Sequence, residues 1–365
     1  MEYIEFKVCI HCFTYNHAPF ILEALNGFTM QQTSFPFMCA IVDDASNDGE
    51  QDIIMHYLES DFDLESFSPL QHEETEDYKH IFARHRENKN CYFSVFLLKY
   101  NHYQAKKPKG IYLSDLTTHA LYTALCEGDD YWISPDKLQK QVDFLDSHPD
   151  FTMVCNRTKL YSVRQKRYIG ENCCYEKSQV VDVKDVINKA GLFISTCSIM
   201  YRNTVKENYP EYCIKCKVGD YPLQIMCAMK GKVFYLDNMM SVYRVQNPMS
   251  WMGRQQWKKM DKGRVEVIKS RVEMLKGFQK DFPEYERVLR AKIGDEINRN
   301  IPGYNLPAND AKEFVSCFSD EVRRYSLRWK IDLWIRKCRI PKIRRLYQKL
   351  FMKRFYIRKK LYAVK

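Results

Sequence analysis

The sequence has no run approaching the ~18 apolar residues that a bilayer-spanning helix needs, and its opening residues, MEYIEFKVCIHCFTYN, hold two glutamates and no basic leader. Neither a membrane span nor a signal peptide is expected, which points to the cytosol. No GxxxxGK[ST] occurs, which excludes a P-loop phosphotransferase, and no GxGxxG supports a dinucleotide enzyme. Internal repeats and low-complexity linkers are missing as well. Histidines at paired ligand spacing are lacking too, so His11 and His17, which flank one loop, are read as structural. Two CxxC spacings do occur, Cys9 with Cys12 and Cys213 with Cys216. The first lies on an expected strand, where a spacing of three sends side chains to opposite faces, and Cys173 and Cys174 complete no zinc pattern. The 14 cysteines read as buried free thiols.

What is present is the composition of a globular α/β protein. The 365 residues are 45% hydrophobic and 28% charged, enough for a sizeable core in about two domains. The net charge of +11 is unevenly spread. Residues 323–365 hold 17 Lys or Arg against one acid, Asp332, while the other 322 residues carry 40 basic and 45 acidic groups.

Short apolar runs alternate with helical patterns, which argues for a mostly parallel sheet flanked by helices. FKVCIHCFT, FMCAIVDD, YFSVFLLK and LYTALCE read as successive strands. HAPFILEALNGFTMQQ, EQDIIMHYLESD and SPDKLQKQVDFLDSHP read as helices. FTMVCNR and CSIMYRN add two strands, GDYPLQIMCAMKG a helix, and KVFYLDNMMSVYRV a final pair of short strands. From about residue 255 the pattern is wholly helical.

In open α/β sheets, ligands bind outside the carboxyl ends of the strands. Three polar clusters fall there: Thr14, Tyr15 and Asn16; Asp43 and Asp44; and Glu127, Asp129 and Asp130. Any one of these is an ordinary turn or cap. Together they predict one acidic cleft, whose crowded carboxylates call for a positive partner. A hard divalent cation, Mg²⁺ or Mn²⁺, shared with substrate phosphates suits such a cleft.

The blocks FTYNHAPFILEAL, IVDDASNDG, CEGDDYWISPDKLQKQVDFL, FISTCSIMYRN and VGDYPLQIMCAMKGKVFYLD resemble, in order and spacing, family 2 glycosyltransferases of GT-A fold. The resemblance is particularly to bacterial enzymes of surface polysaccharide synthesis and runs over about residues 6–245. The resemblance implies a Rossmann-like sheet and a nucleotide-diphosphate sugar as donor. Thr14, Tyr15 and Asn16 would line the nucleotide pocket, with Asp43 or Asp44 accepting from base or ribose. Glu127, Asp129 and Asp130 occupy the DxD-type position, with Asp130 favoured over Asp129 as metal ligand. Asp220, where the family places its base, would take the acceptor's proton in an inverting transfer; as a helix-start residue it could equally be an N-cap. Lys106 and Lys107 could meet the diphosphate, Arg244 would lie in a segment that closes over the donor, and Trp251 could stack on a sugar. Acceptor selectivity would reside in residues 160–215.

Residues 1–250 are thus expected to be the catalytic domain, 251–322 a helical extension, and 323–365 basic amphipathic helices. In the last segment Leu327, Ile331 and Trp334, then Ile343, Leu346, Tyr347, Leu350 and Phe351, share helical faces opposite Lys and Arg. That pattern suits an anionic membrane surface and a glycan or lipid-linked acceptor. The protein would then lie on the inner face of the cytoplasmic membrane. Nucleic acid is not expected as a partner. The alternative from another class is an inactive glycan-binding or scaffolding relative held at the membrane by its tail.

Overall fold

The computed structural model describes residues 5–64, 72–189, 193–248, 262–299 and 317–318. Its strands in chain order are β1 (Phe6–Thr14), β2 (Phe37–Asp43), β3 (Phe62–Asp63), β4 (His72–Glu74), β5 (Tyr78–His85), β6 (Cys91–Leu98), β7 (Ala120–Leu125), β8 (Tyr131–Trp132), β9 (Phe151–Ser162), β10 (Arg167–Asn172), β11 (Gln179–Val180), β12 (Met200–Arg202) and β13 (Lys232–Val245). The helices are α1 (Ile21–Thr29), α2 (Glu50–Asp61), α3 (Ile111–Thr118), α4 (Lys137–Ser147), α5 (Val183–Lys189), α6 (Glu211–Ile214), α7 (Asp220–Lys230), α8 (Lys262–Asp281) and α9 (Glu286–Arg299).

All the strands join one sheet, ordered β11, β13, β9, β12, β7, β1, β2, β6, β5, β3, with β10 on β9, β4 on β5 and β8 on β13. The centre is parallel, as the alternation predicts: β7, β1, β2 and β6 run together, and β13 runs with β9. β12 is reversed between β7 and β9. β2 and β6 are buried along their whole length, because both faces of a central parallel strand are covered. On one face Ile21, Leu25 and Phe28 of α1, Ile54 and Leu58 of α2, and Leu138, Val142 and Leu145 of α4 pack on Val8, Ile10, Cys12, Ile41 and Phe93. The other face holds Phe6, Cys9, Met38, Val42, Tyr92 and Phe96, with Leu113 of α3. Cys9 and Cys12 thus fall in separate cores.

The structure departs from the sequence reading at its edges. β13 is one strand of 14 residues rather than two short ones. Its pairing with β9 slips between Leu236 and Met239 and again before Ser241, so the polar DNMM stretch is a bulge inside a strand, not a turn. β5, β10 and α3 were not read from the sequence. β5 runs antiparallel to β6 on one side and to the short β3 and β4 on the other, and its YKHIFARH buries only Ile81 and Ala83.

Contacts divide the chain into two compact units. One is Met1–Lys258 with Glu273–Lys292, and holds the sheet. The other is Lys259–Val272 with Ile293–Lys365, in which Arg271 pairs with Glu296 at 3.4 Å. Among the described residues, no helix is long and apolar enough to cross a membrane. The amphipathic pattern of residues 323–365, and Trp251, lie outside the described residues.

Candidate active site

The ends of β1, β2 and β7 are pinned to one another. Thr14 stands opposite Asp43 in the parallel register, and the Asp44 N–H donates to the Thr14 carbonyl at 3.0 Å. Beyond β7, the N–H groups of Cys126 and Gly128 donate to the carbonyls of His11 and Phe13, each at 3.1 Å. The three polar clusters therefore share one edge of the sheet, the carboxyl ends of its parallel strands. Gly128 shows how closely they meet: a Cβ there would stand 2.1 Å from Thr14 Oγ1. Only glycine lets the acidic loop settle onto β1.

Beneath this contact lies a residue that sequence reasoning missed. Glu50, the first residue of α2, is wholly buried. It accepts from Thr14 Oγ1, from the His17 N–H at 2.8 Å and from Ser46 Oγ at 2.8 Å. Ser46 also ties to Asp43, its N–H at 3.0 Å and its hydroxyl at 2.5 Å. Asn16 takes the left-handed conformation, φ 57°, which asparagine tolerates. Its N–H donates to Ser46 Oγ and its side chain accepts from the Asn47 N–H, both at 2.9 Å. Tyr15 is half-buried on the same turn. The loops after β1 and β2 are thus one hydrogen-bonded unit around Glu50. Burial raises the Asp43 carboxyl and pushes Glu50 up to about 7, against hydrogen bonds that favour the ionised form. In the sequence, Glu50 looks like any acid in a first helical turn.

The acids after β7 divide by depth. Asp130 is 1% exposed. Its Oδ1 accepts the Arg244 N–H at 2.7 Å, while Oδ2 is enclosed without a hydrogen-bond partner. Burial and the like charge of Asp129 raise its carboxyl well above the usual range. Asp129 Oδ2 accepts from Asn247 Nδ2 at 3.2 Å and lies 3.8 Å from His17 Nε2, so His17 links the Glu50 unit to the acids. Glu127 is open to solvent on one side while protein crowds it on the others. That crowding, with the like charges of Asp129 and Asp220, pushes its carboxyl up to about 8, and Lys109 opposes the shift. Tyr243 stands beside the same three acids; burial first and then their charge raise its hydroxyl.

Arg244 corrects an expectation. It is no part of a free closing segment but a buried tie at the end of β13. Its guanidinium donates to the Asp129 carbonyl at 2.7 Å and to Glu23, and lies 4.7 Å from the Phe20 ring centroid and 4.5 Å from that of Tyr131.

Asp220 opens α7, with Gly219 as N-cap. Its Oδ1 accepts from the Tyr221 N–H at 2.8 Å and Oδ2 lies 3.5 Å from Thr196 Oγ1. It is half-buried, and its field reaches Glu127, which brings two motifs far apart in sequence into one cleft. A second cation at this cleft, besides Arg244, is Lys109, not singled out from the sequence. It pairs with Asp44 Oδ2 at 3.1 Å and lies 5.4 Å from the Phe13 ring centroid. Lys107 instead bonds the Tyr100 hydroxyl and stands 3.7 Å from Asp77, and Lys106 is exposed. Asp44 is 1% exposed and accepts the His102 N–H at 2.6 Å, so it anchors the loop that carries Lys109.

Among the described residues, no three or more His, Cys, Asp or Glu are arranged to hold a metal ion. Mg²⁺ usually takes one or two carboxylates and completes its shell with water and substrate phosphate. The Asp129 carboxylate, beside the unpartnered Asp130 Oδ2, fits that partial set of hard oxygen donors. Asp129 is the more accessible of the two.

No protein-family model matches the chain. Among curated proteins it is 28% identical over 270 residues to uncharacterized proteins of Mycobacterium bovis and Mycobacterium tuberculosis, covering 72% of this chain and 67% of each relative. Among solved structures it is similar to S. aureus TarS (residues 1–349) in complex with UDP-GlcNAc, with a TM-score of 0.59 and 16% identity over 88% of this chain and 82% of that one. The UDP complex of the same protein gives a TM-score of 0.57 at the same identity and coverage. A mostly parallel sheet flanked by helices, with its polar loops gathered at one edge, is thus the GT-A-like fold of these glycosyltransferases.

Proposed function

We propose that the protein is a metal-dependent, inverting glycosyltransferase of family 2 type. It would move a sugar from a nucleotide-diphosphate sugar to a hydroxyl of a glycan or lipid-linked acceptor in surface polysaccharide synthesis. The observation that carries this reading is that Asp220, beside Thr196 in the turn before β12, lies next to the acidic loop after β7, at the edge where Thr14, Asp43 and Lys109 also converge. The TarS structures with UDP-GlcNAc and UDP support a nucleotide sugar as donor.

In this reading the Glu50 unit shapes the nucleotide pocket, with Thr14, Tyr15, Asn16 and Asp43 on its walls. Asp129 and Asp130 would hold Mg²⁺ or Mn²⁺, which offsets the charge that develops on the leaving diphosphate. Lys109 adds a second positive group from the opposite wall. Asp220 takes the proton from the acceptor hydroxyl as that oxygen attacks the anomeric carbon, and Thr196 orients its Oδ2. The basic tail, residues 323–365, would hold the enzyme against an anionic membrane from the cytoplasmic side.

Calorimetric titration with UDP, GDP, CDP and dTDP, each with and without Mn²⁺, tests the reading. Metal-dependent binding that prefers one base supports it and narrows the sugar. A folded protein that binds none of them would overturn it in favour of an inactive glycan-binding relative.

A further inference from the structure

A row of aromatic side chains leaves the acid cluster and ends on an exposed hairpin. Tyr168 of β10 stands opposite Tyr161 of β9, and Tyr161 stands opposite Arg244 of β13, so three neighbouring strands place these residues side by side. The Tyr161 and Tyr168 rings meet edge to face at 5.4 Å. The Tyr168 hydroxyl lies 3.1 Å from that of Tyr131, which follows Asp130 directly and covers the Arg244 guanidinium at 4.5 Å. Arg244 in turn holds the Asp129 carbonyl. The row is continuous from the outer hairpin to the acids.

Among the described residues, its outer end is a solvent-exposed strand. β10 pairs with β9 alone and is exposed along nearly its whole length, with Tyr168 53% and Ile169 41% exposed. Basic groups predominate around it: residues 158–168 contain Lys159, Arg164, Lys166 and Arg167 and no acid, while Glu171, opposite Lys159, pairs with Arg157 at 2.8 Å. Lys159 Nζ lies 5.3 Å from the Tyr168 ring centroid. An anion finds pairing partners here, where the acid Glu171 is already matched by Arg157, and meets repulsion at the inner end, among Glu127, Asp129 and Asp220.

We propose that the Tyr131–Tyr161–Tyr168 row and its Lys159, Lys166 and Arg167 rim are the acceptor subsite, and that the acceptor is a saccharide chain bearing negative charge. This rests on the glycosyl-transfer reading above. Tyrosine faces take the C–H faces of sugar rings while their hydroxyls reach sugar hydroxyls. The cations pair with carboxylate or phosphate groups along the chain. The reactive hydroxyl at the chain's end then points inward to Asp220. Aromatic faces with cations also suit single-stranded nucleic acid, but its phosphate at every nucleotide would be repelled by the carboxylate cluster at the inner end, whereas a charged saccharide chain can end there in an uncharged sugar.

The test uses the full chain and three probes at fixed salt: a hyaluronan decasaccharide, a neutral malto-oligosaccharide of similar length, and a dT10 oligonucleotide. A nucleotide-diphosphate titration with Mn²⁺ runs alongside. The hyaluronan probe is expected to bind at least about tenfold more tightly than the neutral one. Tyr168→Ala, and separately Lys166→Ala with Arg167→Ala, should each weaken it by about tenfold or more while nucleotide binding stays as in the wild type. Tyr168→Phe keeps the ring and should lose less than Tyr168→Ala, which guards against misreading a folding defect. Equal binding of charged and neutral saccharides, unchanged affinity in the variants, or tighter binding of dT10 would each overturn the proposal. Saccharide binding as expected with no nucleotide binding would leave the surface standing and remove the transfer reading instead.

Discussion

Asp129 and Asp220 stand in one cleft at different depths, and their substitutions should separate two steps. Asp129→Asn is expected to abolish metal-dependent nucleotide binding. Asp220→Asn should leave that binding intact and lower transfer by about 10²-fold or more; calorimetry beside a transfer assay distinguishes them, and near-normal transfer in Asp220→Asn would refute its role as base. Gly128→Ala should cost roughly 3 kcal/mol, read from a urea midpoint, because its methyl cannot clear Thr14 Oγ1. Glu50 makes a pH prediction. Its carboxyl rises from 4.5 to about 7 on folding, so below the lower value both states are protonated and ionisation costs nothing. Between the two values the unfolded chain gives up its proton first, and stability falls as pH rises, by at most about 3 kcal/mol. Glu50→Gln should flatten that slope in urea midpoints taken across the same window; an unchanged slope would assign it to another group.

Among the elements, those readable from sequence are the ones whose surroundings are symmetric. β2 and β6 are apolar along their length because both faces are covered, and the acids of α2 and the Pro beyond α4 mark their helices plainly. β10 is exposed along nearly its whole length and β5 is only partly buried, flanked on one side by the short β3 and β4, so their sequences carry no clear alternation. The same limit applies to the site. Thr14, Asp43 and the acidic block are local to strand ends and could be placed, whereas Glu50, Lys109 and the burial of Arg244 depend on partners scores of residues away. Arg244 gives the test at this scale. Its side chain ties β13 to the acidic loop and to α1, so Arg244→Ala should destabilise the fold by about 1–3 kcal/mol by leaving the Asp129 carbonyl without its donor. Arg244→Lys should recover only part of that in a denaturant titration, since an ammonium lacks the flat fork that reaches two acceptors at once.

At the scale of the whole molecule the charge is split between an acidic-to-neutral body and a basic end. Removing residues 323–365 is expected to release the protein from vesicles containing phosphatidylserine while leaving its nucleotide binding unchanged. Sedimentation at low and high salt measures this, and vesicle binding that survives the truncation would refute the membrane role. The fold class was legible at this scale because five sequence blocks follow in the order that the sheet requires. The division into compact units was not, because Glu273–Lys292 groups with the sheet-bearing unit across an intervening stretch of chain.

The reversed strand β12 also changes where function should be sought along a chain. Its neighbours β7 and β9 deliver their last residues to the reactive edge, but β12 runs against them and so delivers the residues that precede it. The Leu125 N–H donates to the Ile199 carbonyl at 3.0 Å, which sets Thr196–Ser198 beside the acidic loop and brings Thr196 to Asp220. A scan that inspects only the tails of strands would pass over such residues, because here the chain meets its chemistry on the way in.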